Sequence, residues 1–429
     1  MRNSEINRYA ATNRRASSSS FKASSATFRA RAMRASVAAV VACGPMMAAA
    51  QSSVTLYGVV DTGITFLSNQ QTADGAGVSG KRAWQMTAGN SAPSSFGIKG
   101  VEDLGGGMAA TFNLQNYFQS NNGAFFEPNG LFDANATVGL KSDKLGVLTL
   151  GRQFDSYTTY LAPYASSNVW SGFAGAHFGD VDNLNAAFNV NNSVVYTSPT
   201  FGGFSFSGTF SLGNQPGAFA TNRAWAVAAG YQSGALSVAA GYLSLRDPFT
   251  AALGGNNAYI GEFSCGQSPS NYCQLQNASE LRTYGIGGSY SFGRFNVNAT
   301  LTRAKLLASR YLVQAGGPVS DVRFDTAEVN GLYSFSEALQ FGLAYAYTIG
   351  KISETGDRPQ IHKVSLATTY NLSKRTQLYL IGNFEKMAGD GIGINPVTGS
   401  LERYAQLSYF GNSNSSSQLA VSMGIKHTF

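Results

Sequence analysis

The chain has 429 residues, of which only 12% are charged against about 25% in soluble proteins, and it carries 49 Gly, 28 Phe and 21 Tyr. Its formal charge of +7 sits entirely in residues 1–50, which hold eight of the 30 basic and one of the 23 acidic residues. The remainder is neutral, so nucleic acid is excluded as a partner inferred from bulk charge, and no run of about 20 apolar residues follows residue 50, which excludes a bundle of membrane-spanning helices.

Residues 1–50 read as an export leader. An Arg- and Ser-rich stretch precedes "SVAAVVACGPMMAAAQ", an apolar run ending in small residues that fit cleavage between Ala50 and Gln51. The basic part is overlong, and Met33 opens a leader of ordinary length. Lipid attachment at Cys43 is the alternative, with only a short apolar run before the cysteine.

Beyond the leader, 51–429 alternates. In "FSFSGTF", Phe204, Phe206 and Phe210 share one face and Ser205, Ser207 and Thr209 the other. In "LQFGLAYAY" the apolar set is Leu339, Phe341, Leu343, Tyr345 and Tyr347, opposed by Gln340, Gly342, Ala344 and Ala346. Strands are predicted at 53–66, 94–102, 108–118, 133–141, 146–153, 192–198, 203–213, 223–232, 235–245, 282–292, 294–305, 323–335, 338–349, 361–372, 375–386 and 417–429. That makes sixteen, most of them long enough to cross a bilayer at a tilt. Short turns such as "QSGA", "SFGR" and "LSKRT" alternate with long connections at 67–93, 119–132, 154–191, 214–222, 246–281, 306–322, 350–360 and 387–416. This places every long loop at one end, the layout of an all-β, sixteen-stranded antiparallel transmembrane β-barrel of a bacterial outer membrane.

The chain stops on an aromatic, Phe429, which shares a face with Leu419, Val421, Met423 and Ile425. In lipid every backbone polar group must be paired, so the sheet has to close on itself. The last strand is therefore predicted to pair with the first, "SSVTLYGVVDTGITF", and its apolar face to meet lipid.

In order along the chain, "QSSVTLYGVVDTGI", "SSFGIKGVEDLGGGMAATFNLQ", "VGLKSDKLGVLTLGRQ", "NNSVVYTSPTFGGFSF", "LSKRTQLYL" and "GIKHTF" resemble the motifs of Gram-negative general diffusion porins of the β-proteobacterial type. The resemblance spans essentially all of 51–429. It implies a homotrimer in the outer membrane, passive diffusion of ions and small hydrophilic solutes, and no cofactor. It also implies that Phe429 is read by the barrel assembly machinery. Finally, it selects the third long loop, 154–191, as the one folded into the lumen.

That loop carries Asp155, Asp180 and Asp182. By alternation Asp61, Lys99, Lys363 and Lys426 point inward, and Arg152 lies at the loop's root on an ambiguous face. Acidic loop residues opposite basic wall residues would set a transverse field at a pore constriction. Where the family often has basic residues this chain has Asn189 and Val195, and its exported part is neutral, so weak ion selectivity without an assigned sign is expected.

Cys265 and Cys273 are the only cysteines beyond the leader, both in the loop 246–281, and an oxidising periplasm predicts a structural disulfide between them. Two carboxylates and His177 in one loop fall short of a metal site. With three histidines and no nucleophile elbow, an enzyme is not expected. "YGIGGSY" is flanked by alternation on both sides and reads as strand, not a phosphate loop. The rival class is a substrate-specific channel or an adhesin-like barrel whose outer loops bind a ligand.

Overall fold

The computed structural model describes residues 53–429 except 74–77, 127–129, 187, 249–271, 273, 274, 276 and 396. The predicted leader with its Ala50–Gln51 cleavage point, and both Cys265 and Cys273, lie outside the described residues.

The strands follow the alternating segments. They are β1 (Ser53–Ala73), β2 (Val78–Ala88), β3 (Ser95–Gly105), β4 (Met108–Tyr117), β5 (Asn135–Ser142) and β6 (Gly146–Gln153). After the third long loop come β7 (Val190–Thr197), β8 (Phe204–Ser211), β9 (Ala224–Ser233) and β10 (Leu236–Arg246). The series continues with β11 (Glu280–Phe292), β12 (Phe295–Ser309), β13 (Ser320–Ser334), β14 (Leu339–Ile352), β15 (Pro359–Asn371) and β16 (Thr376–Gly389). The short pair β17 (Gly393–Ile394) and β18 (Leu401–Glu402) lies inside the last long connection, and β19 (Ser417–Thr428) ends the chain.

β19 pairs with β16 along one edge and with β1 along the other, so the antiparallel sheet closes. On its remaining edge β1 serves two partners: Ser53–Val59 pair with β3 and Thr62–Ala73 with β2. β2 and β3 thus share one position around the wall, and the barrel has sixteen. The predicted loop 67–93 is corrected by this: β1 runs on to Ala73 and returns as β2. Phe66 and Trp84, in register across that hairpin, pack with ring centroids 5.0 Å apart and extend the pairing past the predicted end.

Register separates two faces. Leu343 opposes Leu366, and Leu380 opposes Met423, which opposes Ile64; all five side chains are exposed and apolar. On the other face Thr65 bonds at 2.7 Å to both Thr87 and Ser422 and is fully buried. An exposed apolar belt loses free energy in water at about 25 cal/mol per Å² and is stable only where lipid covers it. At the seam Phe429 donates its N–H to the Gly58 carbonyl at 3.0 Å and accepts the Gly58 N–H at 3.2 Å. A Cβ on Gly58 would meet the Phe429 ring at 2.5 Å, so glycine is what admits the terminal aromatic.

Candidate functional site

Between β6 and β7 the chain forms one short helix, α1 (Ser156–Leu161), followed by single helical turns through Asp180. Asp155 starts it: its carboxylate accepts the Thr158 N–H at 3.0 Å and the Thr158 hydroxyl at 2.8 Å, a typical N-cap. The segment lies along the polar face of the wall and touches it repeatedly. The Ser156 hydroxyl is 2.7 Å from those of Ser207 and Thr209 on β8. Further along, Asn330 of β13 donates to the Tyr164 carbonyl at 2.8 Å, and Asn383 of β16 to that of Ser171 at 3.3 Å. Two glycines make room. A Cβ on Gly285 would lie 2.4 Å from Leu161, and one on Gly342 would lie 2.5 Å from the Trp170 ring. Gly285, together with Gly287, whose Cβ would lie 2.6 Å from Tyr164, gives two glycines of "YGIGGSY" a packing reason without any ligand.

The tightest anchor is ionic. The His177 ring faces Asp182 at 2.6 Å through Nδ1 and Glu328 of β13 at 3.2 Å through Nε2, all three buried. Burial opposes the charge on the ring, but the two carboxylates outweigh it and push its pKa up to about 10. Burial likewise resists ionisation of Asp182, and the imidazolium overcomes this and lowers its pKa. Thr302 of β12 donates a further hydrogen bond to Asp182 at 2.6 Å. A second pair, Lys363 of β15 and Glu385 of β16, stands at 3.2 Å, and the Lys363 ammonium also donates to the Ala176 carbonyl. The other Glu385 oxygen accepts the Gln406 N–H at 2.8 Å.

Several of the residues singled out in the sequence are met by protein partners. Asp155 caps a helix, and Asp182 is enclosed by His177 and Thr302. Asp61 accepts the Tyr379 hydroxyl at 2.6 Å and the N–H groups of Ser91 and Ala92 at 2.9 Å each, and is fully buried. Lys363 is enclosed by Glu385. Asp61 and Lys363 lie on the strand face opposite the apolar belt, and each charge is met by protein partners. Asp180 accepts the Asn185 N–H at 2.8 Å and is almost wholly buried, at the edge of a cavity of about 810 Å³. Arg152 ties the root of the segment, donating to the Asp133 carbonyl and, at 2.6 Å, to Asn191. Lys99 remains exposed, 4.9 Å from the centre of the Tyr57 ring, and half-buried Lys426 reaches Ser91 at 3.4 Å.

Sequence reasoning missed the partners. Glu328 is an isolated acid whose mate His177 lies in a distant loop, and Glu385 meets Lys363 only through the register of two neighbouring strands. It also missed an aromatic stack beside the 810 Å³ cavity. Phe126 and Tyr409 lie 5.8 Å apart, and Tyr409 and Phe173 5.1 Å apart. These rings come from three different connections, so no periodicity could join them.

A closed antiparallel barrel of sixteen strands with an apolar outer belt defines an outer-membrane channel protein. The model of the Gram-negative porin family matches residues 35–386, and the chain belongs to that family. It is 29% identical over 361 residues to an outer membrane porin protein of Bordetella pertussis, covering 79% of this chain and 90% of that one. To outer membrane porin protein 32 of Delftia acidovorans it is 27% identical over 419 residues, covering 92% and 98%. Among solved structures it matches an anion-selective porin from Comamonas acidovorans with a TM-score of 0.65 at 22% identity, covering 88% of this chain and all of that one. The protein is thus an outer-membrane channel for passive diffusion, and its family members are channels rather than enzymes.

Proposed function

We propose that the segment 154–191 is the inward-folded loop that narrows this channel, and that ions and small hydrophilic solutes pass it by diffusion without chemical change. The observation that carries the reading is the set of bonds from this one segment to the polar faces of β8, β12, β13, β15 and β16. The buried ions cancel in part: Lys363 stands against Glu385, while the single His177 stands between two carboxylates, Asp182 and Glu328. The transverse field is then left to Lys99 and Lys426, with Arg152 at the loop root and Asp180 at the cavity edge, and selectivity is weak. Asp155, Asp182, Asp61 and Lys363 act by holding the constriction's shape.

The remaining roles follow the same reading. Residues 1–50 export the chain and are cleaved before Gln51, and Cys265 bonds to Cys273 in an outer loop. Phe429 is the signal for the barrel assembly machinery, and the mature protein is a homotrimer without cofactor or metal. The stack of Phe126, Tyr409 and Phe173 favours one second reading, a channel that retains solutes with a flat apolar face.

The test is the reversal potential in a KCl gradient. Lys99→Gln should move it toward cation preference and Asp180→Asn toward anion preference, each by a few millivolts. If neither moves it, the field assignment fails. Brief blockades by a planar aromatic solute, lost in Phe173→Ala, would replace the general pore with the solute-retaining one.

A further inference from the structure

On the outward face, near the long-loop end, four basic side chains stand directly opposite one another on four consecutive strands. Arg282 of β11 pairs with Lys305 of β12, Lys305 with Arg323 of β13, and Arg323 with Lys351 of β14. Neighbouring strands are about 4.8 Å apart, so the row is about 14 Å long. Like charges directly opposite on a sheet repel each other and are destabilising. A row of four needs a reason.

Among the described residues, the nearby carboxylates do not balance it. Glu280 is shared between Arg282 at 2.8 Å and Arg246 at 3.9 Å. Asp325 is shared between Arg303 and Arg323, the latter at 3.0 Å. The Asp321 carboxylate takes the Ala308 N–H at 2.8 Å. Among the described residues, neither Lys305 nor Lys351 has a carboxylate partner. Leaving Arg246 aside, five described cations thus face three carboxylates, and Arg282, Arg303 and Arg323 are between 39% and 49% exposed.

The level on the barrel points to the occupant. One step nearer the midline on the same face, Tyr242 opposes Tyr284, with Trp225 packed against Tyr242 at 4.6 Å. Next comes the apolar pair Ile286 and Leu301. Aromatic girdles mark the boundary between hydrocarbon and headgroups, and long loops mark the outer side. The basic row therefore lies at headgroup level in the outer leaflet, continuous with the lipid-facing belt. A second copy of this chain would bring no net opposite charge, because the chain beyond residue 50 is neutral. Guanidinium groups bind phosphate through paired hydrogen bonds, and ammonium groups add point charge.

We propose that Arg282, Lys305, Arg323 and Lys351 form a binding site for the phosphate groups of an anionic lipid in the outer leaflet. The lipid's charge relieves the repulsion along the row, and its acyl chains cover the belt beneath.

The test uses the refolded full-length protein in neutral detergent, titrated with bisphosphorylated lipid A and read by native mass spectrometry. Wild type should bind it, less so as salt rises, and Lys305→Gln with Lys351→Gln should bind about 10- to 30-fold more weakly. Lys305→Arg with Lys351→Arg, which keeps the charge, should bind as wild type does. Both variants should keep wild-type conductance, since these side chains point away from the channel. The proposal is overturned by equal binding of lipid A to wild type and the Gln variant, or by equal binding of dephosphorylated lipid A to wild type. It is also overturned if inorganic phosphate at equal concentration displaces the lipid, which would make this a free-phosphate site. A changed subunit number in the Gln variant would make the row a contact between copies and overturn it as well.

Discussion

His177 and Asp182, five residues apart in one connection, meet at 2.6 Å with neither exposed to solvent. The same imidazole reaches Glu328 on the wall, 151 residues further along the chain, at 3.2 Å. One ring therefore fastens the connection both to itself and to the barrel.

That latch has a pH window. The pKa of His177 is raised from 6.5 to about 10, so its contribution is complete below about pH 6.5 and is lost as pH rises toward 10. The pKa of Asp182 is lowered from 3.8, so its contribution is complete above about pH 4 and is lost in stronger acid. The segment should be held most firmly between about pH 4 and 6.5. Hydrogen exchange of amides 176–184, corrected for intrinsic rates, should lose protection from pH 6.5 to 10. In His177→Gln this pH dependence should vanish; the same trend in that variant would remove His177 from the latch.

Lys363→Met strands the Glu385 carboxylate in a buried site. Breaking such a pair costs about 3–5 kcal/mol, whereas Lys99→Gln loses only an exposed cation–π contact of about 1 kcal/mol or less. Urea unfolding, followed by the heat-modifiable gel shift, should separate the two variants clearly. Equal stabilities would mean that Lys363 faces water after all.

Gly342→Val places a side chain where the Trp170 ring now lies, 2.5 Å from the first added carbon. Overpacking of this kind costs about 1–3 kcal/mol. Displacing Trp170 should loosen the segment and raise single-channel conductance. An unchanged or smaller conductance would contradict a constriction formed there.

Removing Phe429 deletes both backbone bonds to Gly58 and the ring packed on it. The seam between β1 and β19 then begins at Val59 and Thr428. Refolding yield should fall, while any barrels that do form should conduct normally. Wild-type yield would take closure away from this residue.

Much of the barrel was legible because one face of each strand must suit lipid. Leu339 to Tyr347 alternated visibly, and Phe429 made sense only if the sheet closes. The β1–β2 hairpin was not legible, because "QQTADGAG" looks like any polar loop and only the register of Phe66 with Trp84 carries the pairing on. For the site, alternation placed Asp61, Lys99, Lys363 and Lys426 on the strand face opposite the apolar belt. It could not say which of them water reaches. That depends on mates such as Glu385, which lies 22 residues from Lys363 yet sits beside it only through the β15–β16 register. Asp155 and Asp182 looked like free loop acids, although the cap on Thr158 and the pair with His177 are local; only the bond from Thr302 to Asp182 is a tertiary fact.

The most direct test of a diffusion channel narrowed by its own third loop is the current through refolded protein in a planar bilayer. Stepwise, ohmic conductance with a small reversal potential in a KCl gradient is the predicted result. Heat-modifiable, fully inserted protein that passes no current would contradict it.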